Sequence, residues 1–349
     1  METTLALGTT TEQMQALYFA SAQLHEPTYR LWQLNSKGER FYYTLDAEGN
    51  PIFFPSVTTI LHAVMPENKF LTEWKLSLGK DEALAYTMER ANYGTFVHSQ
   101  LASLMILRRY NLDSLRESMG KFVERENLPE GFIDAHEDEA RADIIAFAKW
   151  MKDYDVRPYA VEVSLYSSRG YAGMIDLVCN MREFSLEDEQ KAREKADGDE
   201  KKLAKIEEKF SSRIDAIVDF KSGKKAFYDE YVLQLALYKE MWNENFPDKT
   251  ITRIFNVSPK DWTKTAKKAP SYNFEEQTDK PIIEQLPCLL ELYKMRHTDE
   301  KKVVVMSGEI DLDKDLGTNV SVYSLSELVK ENHSQEIADD GGDLFSDSK

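Results

Sequence analysis

The chain has only two cysteines, Cys179 and Cys288, in 349 residues. Two thiols cannot build a disulfide framework or complete a four-thiolate metal site. No apolar run approaches the roughly 20 residues of a membrane-spanning helix. Met1–Leu24 lacks the basic start and apolar centre of a secretory signal. The chain is therefore expected to be soluble and cytoplasmic, with no membrane partner. A phosphate-binding Gly-x-x-x-x-Gly-Lys-(Ser/Thr) run is also missing, because Gly79-Lys80 and Gly223-Lys224 lack the Ser/Thr that must follow. No ATP site is expected. Positive charge is in short supply: 44 Lys+Arg against 61 Asp+Glu leave −17. At first reading that balance speaks against a polyanionic partner. The acidic stretch 331–349, however, accounts for −5 of it, and carboxylates that hold a cation are offset once it binds.

What is present is the composition of a folded protein. Hydrophobic residues make up 42% of the chain, with 17 Phe, 17 Tyr and 5 Trp, too many for a solvated coil. The length suggests about one to two domains. Residues 1–40 carry a weak helical signal and are expected to form a helical N-terminal extension. Aromatic-rich runs on either side of Asp46-Ala-Glu-Gly-Asn50 predict a hairpin. Ser56 is placed to cap a helix that starts at Val57. Lys69–Tyr110 is helical in pattern, with interruptions expected near Gly79 and at Tyr93-Gly94, and Asp134–Tyr154 is a further helix. Period-two runs predict strands at Pro158–Tyr166 and Tyr171–Met181, around the turn Ser167-Ser-Arg-Gly170, and again at Ile214–Lys221 and Ile251–Val257. Helices are expected over Asp229–Asn245, Pro281–His297 and Ser324–Asn332. The fold class expected is α/β.

Two segments stand apart. Arg182–Arg213 holds 9 basic and 10 acidic residues in 32 and reads as one or two solvated helices inserted between strands. Glu331–Lys349, with six acids and one lysine, reads as a disordered acidic tail.

Carboxylates inside apolar strands are the feature that points to chemistry. In Ile217-Val-Asp-Phe-Lys-Ser-Gly223 the strand period places Asp219 and Lys221 on one face, opposite Ala216, Val218 and Phe220. Gly173-Met-Ile-Asp176 and Ala160-Val-Glu162 each embed one more acid in an apolar run, where an unpaired charge is costly. If the 158–166 and 171–181 strands pair, Glu162 and Asp176 come close. Three converging carboxylates repel one another unless a divalent ion lies between them, and hard oxygen donors suit Mg2+ or Mn2+.

These residues, in this order, resemble the PD-(D/E)XK nuclease superfamily, most nearly its RecB-like and phage-type exonuclease branch. The matching elements are Gly94-Thr-Phe-Val-His98, then Glu162, then Gly173-Met-Ile-Asp176, then Asp219-Phe-Lys221-Ser-Gly223, then Gln234-Leu-Ala-Leu-Tyr238. Pro55-Ser-Val-Thr-Thr-Ile-Leu61 is similar to the leading segment of phage-type members. The likeness covers roughly residues 40–260 and implies a restriction-endonuclease-like core, a central mixed sheet flanked by helices. On that basis residues 41–300 are expected to form the nuclease domain, with 182–213 as a charged helical insertion, 301–330 as a C-terminal extension and 331–349 as the tail.

The resemblance implies a metal-dependent DNase, an exonuclease in that branch, acting in recombination, repair or end processing and encoded by a phage or mobile element. Asp176, Asp219, the Phe220 carbonyl, Glu162 and His98 would hold Mg2+ or Mn2+. Lys221 would stand beside the attacking water or the scissile phosphate, and Gln234 and Tyr238, four apart on one helix face, would brace Lys221 or the substrate backbone. Some relatives carry a four-cysteine iron–sulfur cluster, which Cys179 and Cys288 cannot supply, so none is expected. The interval from Asp176 to Asp219 is longer than the short turn usual in the family, and the 182–213 segment accounts for the excess. DNA is the expected partner. Lys224 and Lys225 lie beside the active strand, and Lys260, Trp262, Lys264, Lys267 and Lys268 interleave an aromatic ring with lysines, which suits single-stranded ends. Asp343-Leu344-Phe345 in the tail resembles short peptides that dock on replication clamps or on single-strand annealing and binding proteins. Two alternatives stay open: a catalytically silent nucleic-acid-binding or scaffold protein on the same fold, and an RNA-directed nuclease, since the motif reads phosphates rather than bases.

Overall fold

The computed structural model describes residue 24 and residues 31–36, 39–45, 51–66, 69–129, 131–222, 227–263, 268–297, 302–306 and 320–324. At its centre is a five-stranded sheet in the order β4 (Arg157–Ser167), β5 (Tyr171–Arg182), β6 (Arg213–Phe220), β7 (Arg253–Pro259), β8 (Tyr272–Glu276). All neighbours are antiparallel except β6 and β7, which run parallel. A parallel pair needs a crossover, and the helix α8 (Asp229–Asn245) provides it.

Helices cover both faces, which makes three layers. On one face α3 (Lys80–Leu107), α4 (Leu115–Arg125) and α5 (Gly131–Asp153) bury Phe96, Met105, Phe122, Phe147 and Trp150 against Leu177, Val218 and Val257. On the other, α1 (Val57–Val64), α8 and α9 (Leu286–Arg296) bury Val57, Leu233, Leu237 and Trp242 against Ile175, Ile217 and Ile254. α8 is apolar on nearly every side because it lies enclosed, with Val232, Leu233, Leu235, Ala236, Leu237, Met241 and Trp242 all buried.

Several expectations hold. β2 (Glu39–Leu45) and β3 (Pro51–Pro55) pair antiparallel around 46–50. The Ser56 hydroxyl accepts from Thr59 N–H at 2.9 Å and caps α1. The charged segment is two helices, α6 (Leu186–Ala196) and α7 (Glu200–Phe210), set between β5 and β6. Ion pairs four residues apart, Glu187 with Lys191 and Glu189 with Arg193, support α6 in solvent. β5 and β6 pair directly from Leu177↔Val218 to Arg182↔Arg213, so the insertion leaves the ladder intact.

Other expectations need correction. α3 runs unbroken through Tyr93-Gly94. A Cβ at Gly94 would come 3.3 Å from Ser222 Oγ, so this glycine gives close packing rather than a break. Within the N-terminal 40 residues, expected to be helical, Trp32–Ser36 is a strand, β1, paired with β2. Ser324 closes the strand β10 (Val320–Ser324), which pairs with β9 (Lys302–Met306); the remainder of the expected 324–332 helix lies outside the described residues. α4 and β8 were not expected. α2 (Lys69–Leu78) ends at Gly79 as anticipated. Among the described residues no helix is long and apolar enough to cross a membrane.

Candidate functional site

The sheet carries a fault at one level. Val161 and Leu177 pack in one core, while Val163 and Ile175, two residues away on each strand, pack in the other. Regular strands keep residues i and i+2 on one face, so both strands reverse face here. The register brackets the fault with Val161↔Leu177 and Val163↔Ile175, which sets Glu162 opposite Asp176. Glu162 has φ +49, a left-handed backbone that costs a non-glycine residue about 1–3 kcal/mol. One step past Leu177↔Val218, the same level meets Asp219 on β6, and Asp219 pairs with Asn256 on β7. Glu162, Asp176, Asp219 and Asn256 thus form a row across four strands.

Hydrogen bonds fix this row. Phe220 N–H donates to Asp176 Oδ2 at 2.8 Å. Asn256 Nδ2 donates to Asp219 Oδ2 at 2.9 Å. Lys221 Nζ straddles the Asp219 carboxylate, 2.9 Å from Oδ2 and donating to Oδ1 at 3.2 Å, and donates to Gln234 Oε1 at 2.9 Å. Gln234 Nε2 in turn donates to Tyr238 OH at 2.9 Å. His98, from α3 on the opposite side of the sheet, places Nδ1 3.6 Å from Asp176 Oδ1. Lys221 Nζ also lies 4.4 Å from the centre of the Tyr231 ring, a cation–π contact. Asp176 and Asp219 are buried, as are Gln234 and Tyr238.

The charges perturb one another strongly. Burial pushes the Glu162 carboxyl up to about 7, with Asp176 adding to it and His98 opposing. Burial opposes a charged His98, yet Asp176, Glu162 and Asp219 outweigh it and raise the imidazole to about 9. Asp219 is pushed up by burial and by Asp176, beyond what Lys221 recovers. Asp176 is held low, because His98, Lys221 and the Phe220 N–H outweigh its burial. Lys221, though half-buried, is held above its ordinary value by Asp219 and Asp176. The resting site is thus two cations among three acids.

This donor set fits a hard divalent cation. Its oxygens come from carboxylates, at one level of the sheet, with His98 beside them. Among the described residues no group of three or more His, Cys, Asp and Glu side chains is placed to hold a metal ion as it stands. The Lys221 ammonium stands directly beside Asp219, within 3.2 Å of both its oxygens.

The sequence-derived site residues His98, Glu162, Asp176, Asp219, Phe220, Lys221, Gln234 and Tyr238 therefore converge from separate strands and helices. Asp215, two residues before Ile217, is not among them: it accepts from Tyr159 OH and Asn180 Nδ2, both at 2.7 Å, and pairs with Lys249 at 2.9 Å. The lysine-rich segment leaves β7 beside the site, since Lys221 N–H donates to Val257 O at 2.9 Å. Its Trp262 Nε1 donates to Lys268 O at 2.9 Å, and Lys260 N–H to Ser271 O at 2.9 Å. Lys224, Lys225, Lys264 and Lys267 lie outside the described residues, as does Asp343-Leu344-Phe345. Asn256 and Tyr231 escaped sequence reasoning. An asparagine in the apolar run Ile254-Phe-Asn-Val257 was the one available signal, because a buried amide needs a partner. No protein-family model matches the chain, and no curated protein matches it.

Proposed function

We propose that the protein is a metal-dependent phosphodiesterase acting on DNA, of the PD-(D/E)XK type. The alignment of Glu162, Asp176 and Asp219 on three adjacent strands, with Lys221 two residues beyond Asp219, carries this reading. A bound Mg2+ or Mn2+ supplies a water of lowered pKa and neutralises charge on the phosphate. Asp176 and Asp219, with Glu162 and His98, would hold the cation. The Phe220 N–H fixes which Asp176 oxygen stays inward, leaving Oδ1 toward His98. Lys221 offers its ammonium to the non-bridging phosphate oxygens, where negative charge grows as water attacks. Gln234, braced by Tyr238, keeps that amine aimed when it leaves Asp219. Lys260 and Lys268, with the lysines outside the described residues, would contact backbone phosphates near the site, and Trp262 would stack on an unpaired base.

The test is a nuclease panel with the full chain. Linear, nicked, circular and single-stranded DNA, and RNA, are each incubated with Mg2+, Mn2+ or chelator. Expected is metal-dependent cleavage of DNA, abolished in Asp219→Ala and Lys221→Ala variants whose circular dichroism is unchanged. Full activity in both variants, or no cleavage of any nucleic acid, overturns the proposal; cleavage of RNA alone moves it to the RNA-directed reading.

A further inference from the structure

Asn256 is fully buried in the parallel strand β7. Its Nδ2 is spent on Asp219 Oδ2, but its Oδ1 has no hydrogen-bond partner among the described residues. Turning the amide over would set Oδ1 against a carboxylate oxygen of Asp219, so the orientation is determined by that neighbour. A buried carbonyl without a partner costs stability, and an apolar residue in this strand would avoid the cost. What the asparagine supplies in return is one donor to one oxygen of one acid.

Resting on the reading of a divalent-cation site, we infer that Asn256 is a positioning residue that sets which Asp219 oxygen serves the cation. Among the described residues Asp219 has two donors: Asn256 on Oδ2 alone, and Lys221 on both oxygens. Asn256 comes from a buried strand and has no other place to go. Lys221 has a second acceptor ready in Gln234 Oε1, 2.9 Å away. When a cation approaches, Lys221 is therefore the donor that yields, while Asn256 keeps Oδ2 and presents Oδ1. Without Asn256 the carboxylate can swing, and Lys221 becomes its one remaining partner among the described residues, a direct competitor of the metal. Outer hydrogen bonds of this kind are typically worth about 10–100-fold in metal affinity.

Threonine and valine at position 256 have the same shape and both suit a strand, but only threonine has a donor. The experiment compares Asn256→Thr and Asn256→Val in the full chain, with Mn2+ titrated calorimetrically in the absence of DNA and melting followed by circular dichroism. Expected is Mn2+ affinity about 10–100-fold weaker in the valine variant, partly restored in the threonine variant, with both melting close to the wild type. An Asn256→Val variant that binds Mn2+ as the wild type does, or an Asn256→Thr variant that does no better than the valine one, overturns the role of Asn256. A wild type that binds no divalent ion overturns it together with the proposed function. A wild type that binds Mn2+ and responds to these substitutions, yet cleaves no nucleic acid, overturns the nuclease reading and leaves the role of Asn256 standing.

Discussion

A Cβ placed on Gly173 would come within 2.7 Å of Tyr238 Cε1 and 3.3 Å of Val57 Cγ2. Gly173 thus opens the space into which α8 lowers the tyrosine that holds Gln234. The side chain of Tyr238 is buried and bonded, so it cannot retreat without breaking the chain Tyr238–Gln234–Lys221. Gly173→Ala is expected to destabilise the protein by about 1–3 kcal/mol, the usual cost of overpacking. Tyr238→Leu, which removes the opposing ring atoms, should recover part of that loss in the double variant. Urea melts of the two single variants and the double variant check this; strictly additive effects would contradict it.

The pairing of Lys221 with Asp219 has a different consequence. Both side chains are largely withdrawn from water, and Asp176 adds a second negative charge nearby. Removing the amine alone leaves the acids without compensation, a change that typically costs about 3–5 kcal/mol in a buried pair. Here the raised carboxyl of Asp219 takes up a proton more easily, which limits the loss to about 2–3 kcal/mol. Lys221→Met should therefore melt lower than the wild type in chelator. Added Mn2+ should stabilise it by more than it stabilises the wild type, because binding no longer displaces the ammonium. Equal Mn2+ stabilisation of the two proteins would show that Lys221 does not occupy the cation's place.

Glu162 gives the metal-free protein a pH signature. Its folded carboxyl titrates at about 7, above the ordinary 4.5. Between those pH values the folded chain holds a proton that the unfolded chain has released, so stability declines as pH rises from about 4.5 to 7 and then levels. Glu162→Gln lacks this titration. In chelator, the variant should gain on the wild type across that window, by on the order of 3 kcal/mol in full. Urea melts at pH 5, 6, 7 and 8 measure the difference, and parallel profiles for the two proteins would rule it out.

The residues that converge at the site were legible because their chemistry conflicts with their strands. An acid in an apolar run, or an acid and a lysine two apart at a strand end, stands out against the period of two. Asn256 raises the same conflict more quietly: a neutral amide costs less to bury than a carboxylate, so it did not stand out. Gly94 misled for a physical reason, since a glycine in a helical run signals a weak point, whereas here it admits Ser222. α4 was hidden because Gly120 lies amid the charged Arg116, Glu117 and Lys121, although Leu115, Met119, Phe122 and Val123 form its buried stripe. β8 is a five-residue edge strand whose side chains are only partly buried, so it lacks a clean alternation. The face reversal at Glu162 and Asp176 was beyond any periodic reading, because it is the place where the period fails.

The neck of the insertion permits a final prediction. Glu183 N–H donates to Ser212 O at 3.1 Å, and Ser212 Oγ to Glu183 Oε2 at 2.9 Å, so the β5–β6 ladder runs to the last residues before the helices. Residues 184–211 can then be replaced by Asn-Gly, the sequence that favours a two-residue hairpin turn with the strand twist. The replacement loses the ion pair of Arg182 with Glu189, its bond to Phe210 O at 3.0 Å and the ring contact of Phe184 with Phe210. It shortens the connection, which lowers the entropy of closing it. A net cost of about 1–3 kcal/mol is expected, with one cooperative unfolding transition and Mn2+ affinity within a few-fold of the wild type. Asp176 and Asp219 lie beyond the opposite end of the paired segment from this neck, so their alignment does not depend on the helices. A shortened chain that folds but no longer binds Mn2+ would show that α6 and α7 hold the acids in place rather than stand apart from them.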